Sequence, residues 1–428
     1  MNPISFELAL KRGLGRALQE LKMQPHPEHR KVVLQHLVHC CRHDPQIEGI
    51  GSVYLLEAAG LAGLTPELPS VLIQHLEKCI EEETTGTWDA GQVVQLLGLL
   101  APEHPEITTQ LLDWYSRSVQ ESLELQPWLE DEILQVCRLN GLRFMLQCNG
   151  KMLDEHPEQP FPFSLLDTAK HVLAMDPRDS MQHWATTDPD IRRLIQAWPE
   201  KQKGPPRKKP DFTYGAIRAI IDSRPEHCMG LPFRGRQVSE DVLLQLANDL
   251  EQTTDPELLA PLLCVFQSRP FPKGPEPLIE LAQHTDEKIA VRALSCLEHF
   301  AHPEVRRLAL EFLTHGQHVV QALSLFKFNF QTGDEQVLQH ALDATIVTGD
   351  PDDLWNVIHD LTDITQKHPT TEMLEMLTLA FPHQPCSHCR LTLLKVLHQH
   401  DVLPSALLAE AAQDLYEETR EWASQQTP

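Results

Sequence analysis

The sharpest chemical signal in this 428-residue chain is Cys386-Ser-His-Cys389. Two thiolates separated by two residues can share one Zn²⁺, and imidazole is the usual further ligand. His383 and His388 lie beside the pair, so His383, Cys386, His388 and Cys389 form a candidate zinc set. The same two thiols can act as a redox pair. Pro385 marks a helix start, and a helix N-terminus lowers a thiol pKa. A strong zinc signature needs a second pair at matching spacing, and none follows. The plain alternative is two small apolar side chains in a helix interface.

A second signal is basic. Phe233-Arg-Gly-Arg236, with Arg224 upstream, forms a small cationic cluster in an acidic chain. In a projecting loop, Arg234 and Arg236 could hold a phosphate, a carboxylate or an acidic strip of a partner. The alternative is an ordinary loop whose arginines pair with Asp222 and Glu240. His36, His39, Cys40 and His43 fall on one helical face at i, i+3, i+4 and i+7. Packed or solvated histidines are the ordinary account of that spacing. Gly13-Leu-Gly15 reads as part of an amphipathic helix with no strand before it, so it is not a dinucleotide fingerprint. The seven tryptophans are spread along the helix regions and read as packing residues.

The elements that must position these groups are helices. Leu278, Leu281, Ile289, Ala293, Leu294 and Leu297 recur at three- and four-residue steps, as do Val305, Leu308, Ala309 and Phe312. Strictly alternating β-branched runs are missing. Many helices open on one phrase: His or Asp, then Pro, then an acidic residue. It occurs at His26, His104 and His302, with variants at Asp188 and Asp255. Pro at the first helical position gives up only an orphan N–H, and an acid in the first turn suits the helix dipole. Recurrence of the phrase predicts an internal repeat. Its acidic residue, then Val-Arg, then Ala-Leu appears at Asp286, Val291-Arg292 and Ala293-Leu294. A degenerate last copy is read at Asp414…Arg420. Residues 200–212 hold three Pro, one Gly and five Lys/Arg, and read as a linker. The expected organisation is a helical half over 1–199, that linker, and a second helical half over 213–428.

Composition limits the function classes. The net charge is −25, from 36 Lys plus Arg against 61 Asp plus Glu. Such a chain repels phosphate at long range, which disfavours nucleic acid and anionic lipid as general partners. No apolar run reaches the ~18 residues of a membrane span. The N-terminal residues lack the apolar core of a signal peptide, and the ten cysteines are irregularly spaced, so a reduced, cytoplasmic protein is expected.

Residues 232–250, 268–313 and 385–404, with the Asp-Leu-Tyr-Glu-Glu-Thr-Arg-Glu-Trp-Ala ending, resemble a family of bacterial HEAT-repeat proteins of unassigned function. The resemblance covers about half of the chain. It implies an all-α, HEAT/armadillo-like solenoid in which Asp caps a turn and Arg spans to the next repeat. It implies no catalytic residues. The functional expectation is a non-catalytic scaffold that holds a protein or peptide partner on its concave face, a basic partner being favoured by the charge. No cofactor is expected apart from zinc at Cys386/Cys389. The alternative is a HEAT-like enzyme, a base glycosylase or a lyase, with a local basic groove.

Overall fold

The computed structural model describes residues 4–24, 26–40, 50–156, 162–197, 210–223 and 230–426. Among these residues every long regular element is an α-helix and none is a strand. No described helix is long and apolar enough to cross a membrane.

The recurring phrase opens helices as read. Pro27, Pro105, Pro189, Pro256 and Pro303 each occupy a first helical position. Asp255 caps its helix by accepting the Glu257 N–H at 3.0 Å. Histidine does the same where it replaces Asp: Nδ1 of His26 and of His302 accepts the N–H two residues on, at 3.2 and 3.3 Å. Such caps contribute about 1 kcal/mol each. His104 differs, since its Nδ1 faces the Glu106 side chain at 3.2 Å.

The chain forms two units, residues 1–206 with 405–428, and residues 207–404. The sequence analysis carried the second half through to residue 428. The segment 405–428 groups instead with the N-terminal helices. Helix Ser405–Ala411 packs on helix Gly15–Met23. Arg16 grips Glu410 with two bonds of 2.7 and 2.8 Å, and the Leu415 N–H donates to the Gly13 carbonyl at 2.8 Å. Gly13 is not inside a helix. It turns the chain between Phe6–Lys11 and Gly15–Met23 with φ +67°. Elsewhere in the first unit, the helix Gln126–Glu155 breaks at Arg138 (φ 53°, ψ −132°) and packs against the helices on either side of it in sequence. Of the 200–212 linker, residues 200–209 lie outside the described residues.

In the second unit, each helix packs on those one to three places along the chain. Asp286 caps the helix Glu287–Leu297 by accepting the Lys288 N–H at 2.9 Å. Arg306, rather than Arg292, makes the described long reach, bonding the buried Asp334 through Nε at 3.1 Å. This local stacking carries the second unit to its last three α-helices, Pro351–Lys367, Thr371–Ala380 and Ser387–Gln399.

Candidate functional site

These three helices gather the groups with the most chemistry. Between the second and third, the chain makes a short 3₁₀ turn at Phe381–His383 and then runs extended through Cys386. Arg390 fixes this approach. It is fully buried and donates to the Gln384 carbonyl at 3.1 Å. Cys386 is therefore delivered as the N-cap of Ser387–Gln399, where its Sγ accepts the Cys389 N–H at 3.3 Å. Cys389 stands one turn in and is partly exposed.

The helix Pro351–Lys367 supplies the other wall. Trp355 Nε1 donates to Cys389 Sγ at 3.3 Å. His359 stands one turn further on, stacks on the Trp355 indole with 7° between planes, and hydrogen-bonds Cys389. Trp355 is 38% exposed, so the sulfur sits under an accessible aromatic edge. The shared bond with Cys386, aided by His359 and Trp355, holds the Cys389 pKa down to about 4 against the effect of burial. The Cys389 bond pushes the His359 pKa up in turn. Four other described cysteines move the opposite way. Burial raises Cys79, Cys137, Cys148 and Cys296, with Cys148 reaching about 11.

Behind His359 lie Asp360 and Asp363, both facing Lys327. The Lys327 ammonium is 2.5 Å from Asp360 and 3.6 Å from Asp363. Burial lifts the Asp360 pKa to about 6 despite that ammonium. Asn329 ends the short helix Phe326–Asn329 that carries Lys327. Asn329 accepts the His302 N–H and donates to the Phe300 and Leu325 carbonyls, all at 2.8 Å. Asn329→Ala is expected to cost about 2 kcal/mol, because three backbone groups lose their partner. A urea titration giving less than about 0.5 kcal/mol would contradict this.

His359, Asp360 and Asp363 are the one group among the described residues that brings three metal-ligand side chains within 4.8 Å. Its carboxylates already neutralise Lys327, so a divalent ion would have to displace a bound ammonium. The zinc set read from sequence is placed differently. Cys386 and Cys389 are together, but no three of His383, Cys386, His388 and Cys389 share that 4.8 Å spacing. His383 is buried in the 3₁₀ turn, and His388 is exposed.

The basic cluster is also placed differently. Phe233, Arg234 and Arg236 are on a short helix, Leu231–Gln237, and not in a loop. Its Gly235 packs so closely that a Cβ would lie 1.8 Å from the Val265 carbonyl oxygen. Arg234 donates to the Asp211 carbonyl at 3.2 Å, and Arg236 is two residues on, facing elsewhere. Phe233 is exposed, with the Phe212 ring 6.4 Å away. Asp222 and Glu240 pair with Arg218 and Arg269 instead. Arg224 lies outside the described residues, as does His43. His36 is buried on the Val32 carbonyl, and His39 bonds Asp89 at 2.9 Å.

The second unit also carries a groove of about 510 Å³. Leu374, Thr378 and Leu379 from Thr371–Ala380 line it, with Val402 and Pro404 opposite. Leu379 is 46% and Val402 44% exposed. Glu375 also lines the groove, and Glu372 and Asp401 are exposed next to lining residues. The sequence analysis missed this groove, and it missed Trp355 and His359 as thiol partners. The available signal was Trp355 and His359 at i, i+4, one turn apart on a helix. What the sequence could not supply was which helix would face Cys389. No protein-family model, no curated protein and no solved structure matches the chain.

Proposed function

We propose that the protein is a non-catalytic α-helical scaffold of the HEAT/armadillo type that binds a protein partner through the Leu379–Val402 groove. The observation that carries this reading is a concave, apolar groove whose two largest exposed side chains have no cover. Aliphatic side chains at 44–46% exposure, lining one groove, suit an apolar anchor from another chain. The surrounding acids and the net charge of −25 favour a partner with basic residues flanking that anchor. Local stacking of successive helices and the Asp286 cap support the repeat reading. A glycosylase would need a basic, aromatic-lined groove; this one is aliphatic with acids beside it.

The test uses the full chain. A photo-crosslinking side chain at Leu379 should capture one protein in the native host, and the same group at the exposed Val347 should not. With that protein purified, Leu379→Glu and Val402→Glu should each weaken binding about tenfold or more, since burying one such side chain is worth about 1.5–3 kcal/mol. Binding should also weaken with added salt. Unchanged affinity in both variants would overturn the reading.

A further inference from the structure

The thiol cluster does not line the Leu379–Val402 groove. A structural cysteine needs only to be packed. Cys389 is partly exposed and is met by two donors from the helix Pro351–Lys367: the Trp355 indole N–H at 3.3 Å and the His359 imidazole. Cys386 is buried, sits one helical turn before it, and shares a hydrogen bond with it. The Cys386 Sγ lies 3.3 Å from the Cys389 nitrogen, at a helix end where the two Cβ atoms would come to about 3.8 Å in a disulfide. One sulfur is thus stabilised as a thiolate where a reagent can reach it, and a second thiol waits behind it.

We propose that Cys386 and Cys389 form a thiol–disulfide exchange site, with Cys389 as the attacking thiolate, Cys386 as the resolving thiol and a disulfide as co-substrate. The Cys389 thiolate attacks one sulfur of the disulfide. The S–S bond breaks, a mixed disulfide forms on Cys389, and the first thiolate leaves. The Cys386 sulfur then attacks Cys389, displacing the second thiol, and the Cys386 proton passes to a leaving sulfur. The co-substrate is reduced by two electrons, and the pair is oxidised by two to the Cys386–Cys389 disulfide.

The surroundings also set the direction in which the pair is poised. The Trp355 N–H and the His359 N–H bond a thiolate well and a disulfide sulfur poorly. They stabilise the reduced form, which makes the disulfide form a ready oxidant of other dithiols. Trp355 and His359 are positioning residues in this scheme. The titratable and charged groups around Cys389 are His359, Asp360 and Asp363 on one helix, Cys386 and His388 on its own, and Lys327 behind the two carboxylates.

The first experiment needs no variant. The reduced full chain is pulse-labelled with iodoacetamide at pH 5, and the cysteines are mapped by mass spectrometry. Ordinary thiols are almost wholly protonated there, so Cys389 should be labelled about tenfold or more faster than the similarly exposed Cys40 and Cys137. The second experiment uses oxidised glutathione as the probe disulfide. The wild-type chain should form the Cys386–Cys389 disulfide and release both glutathione thiols. Cys386→Ser should instead trap glutathione on Cys389, and Cys389→Ser should trap none on Cys386. His359→Gln and Trp355→Phe should each shift the glutathione equilibrium toward the protein disulfide by about tenfold, a readout that simple packing would not move. Labelling of Cys389 no faster than Cys40, or a mixed disulfide that wild-type Cys386 never resolves, would overturn the proposal.

Discussion

Gly15→Ala is expected to lower the melting temperature of the full chain by about 4–12 °C, although alanine is the better helix former. A Cβ at residue 15 would lie 1.9 Å from the Glu410 carbonyl oxygen and 2.9 Å from its carbon. Both are backbone atoms, so no side-chain rotation relieves the overlap. Alanine gains about 1 kcal/mol over glycine within a helix. Forcing Gly15–Met23 away from Ser405–Ala411 costs more. It strains the Arg16–Glu410 pair, whose carboxylate is buried, and the Leu415 N–H bond to Gly13. Overpacking and the loss of a part-buried charge pair together cost about 3–4 kcal/mol. At about 2–4 °C per kcal/mol for a unit of this size, the drop follows. The variant should also become sensitive to protease near residues 404–405. Chain division at 213–428 would predict the opposite, a first unit indifferent to residue 410. A melting temperature within 2 °C of wild type would show that the terminal segment does not hold the first unit together.

The second large effect depends on pH. Glu132→Gln should stabilise the protein by a few kcal/mol at pH 8.5 and by almost nothing at pH 4. Glu132 is 6% exposed, and its carboxylate rests on Gly98, where a Cβ would meet Oε2 at 1.9 Å. Burial, with Asp131 adding to it, raises its pKa from 4.5 to about 8. The folded form therefore keeps a proton that the unfolded form releases above about 4.5. Stability falls as pH rises from about 4.5 to about 8, then levels off. Glutamine has the same shape and no charge to bury, so it removes that slope. Each pKa unit corresponds to 1.36 kcal/mol, which puts the gain at roughly 3–5 kcal/mol. Glu130, raised to about 7 by burial, slopes in the same direction and remains in both proteins. The measurement is the difference in urea midpoint between wild type and Glu132→Gln at the two pH values. A pH-independent difference would mean that Glu132 is ionised in the fold.

Much of the local structure could be read directly from residue types. Pro27 and Pro303 open helices because a first helical position needs no N–H, and the preceding histidine is placed to accept a donor two residues on. Pro385 announced the helix that Cys386 caps. Contacts across long separations could not be read in this way. Gly13 and Gly15 looked like residues of one helix, because glycine carries no sign of whether its missing side chain makes room for a turn or for another backbone. Arg234 and Arg236 looked like a basic loop, because seven residues are too few for periodicity to show a helix.

The sequence by itself determined that the described residues are helical and where the helices opened by Pro begin. Both follow from spacing and caps, which act within about four residues. It also placed two cysteines one turn apart at a helix N-terminus. Only the tertiary structure decided that Trp355 and His359 face those sulfurs, that Lys327 fills the space between two carboxylates, and that residues 405–428 return to the first helices. Each of these is a matter of which helix faces which, and that is fixed by the fit of whole surfaces rather than by any local run of residues.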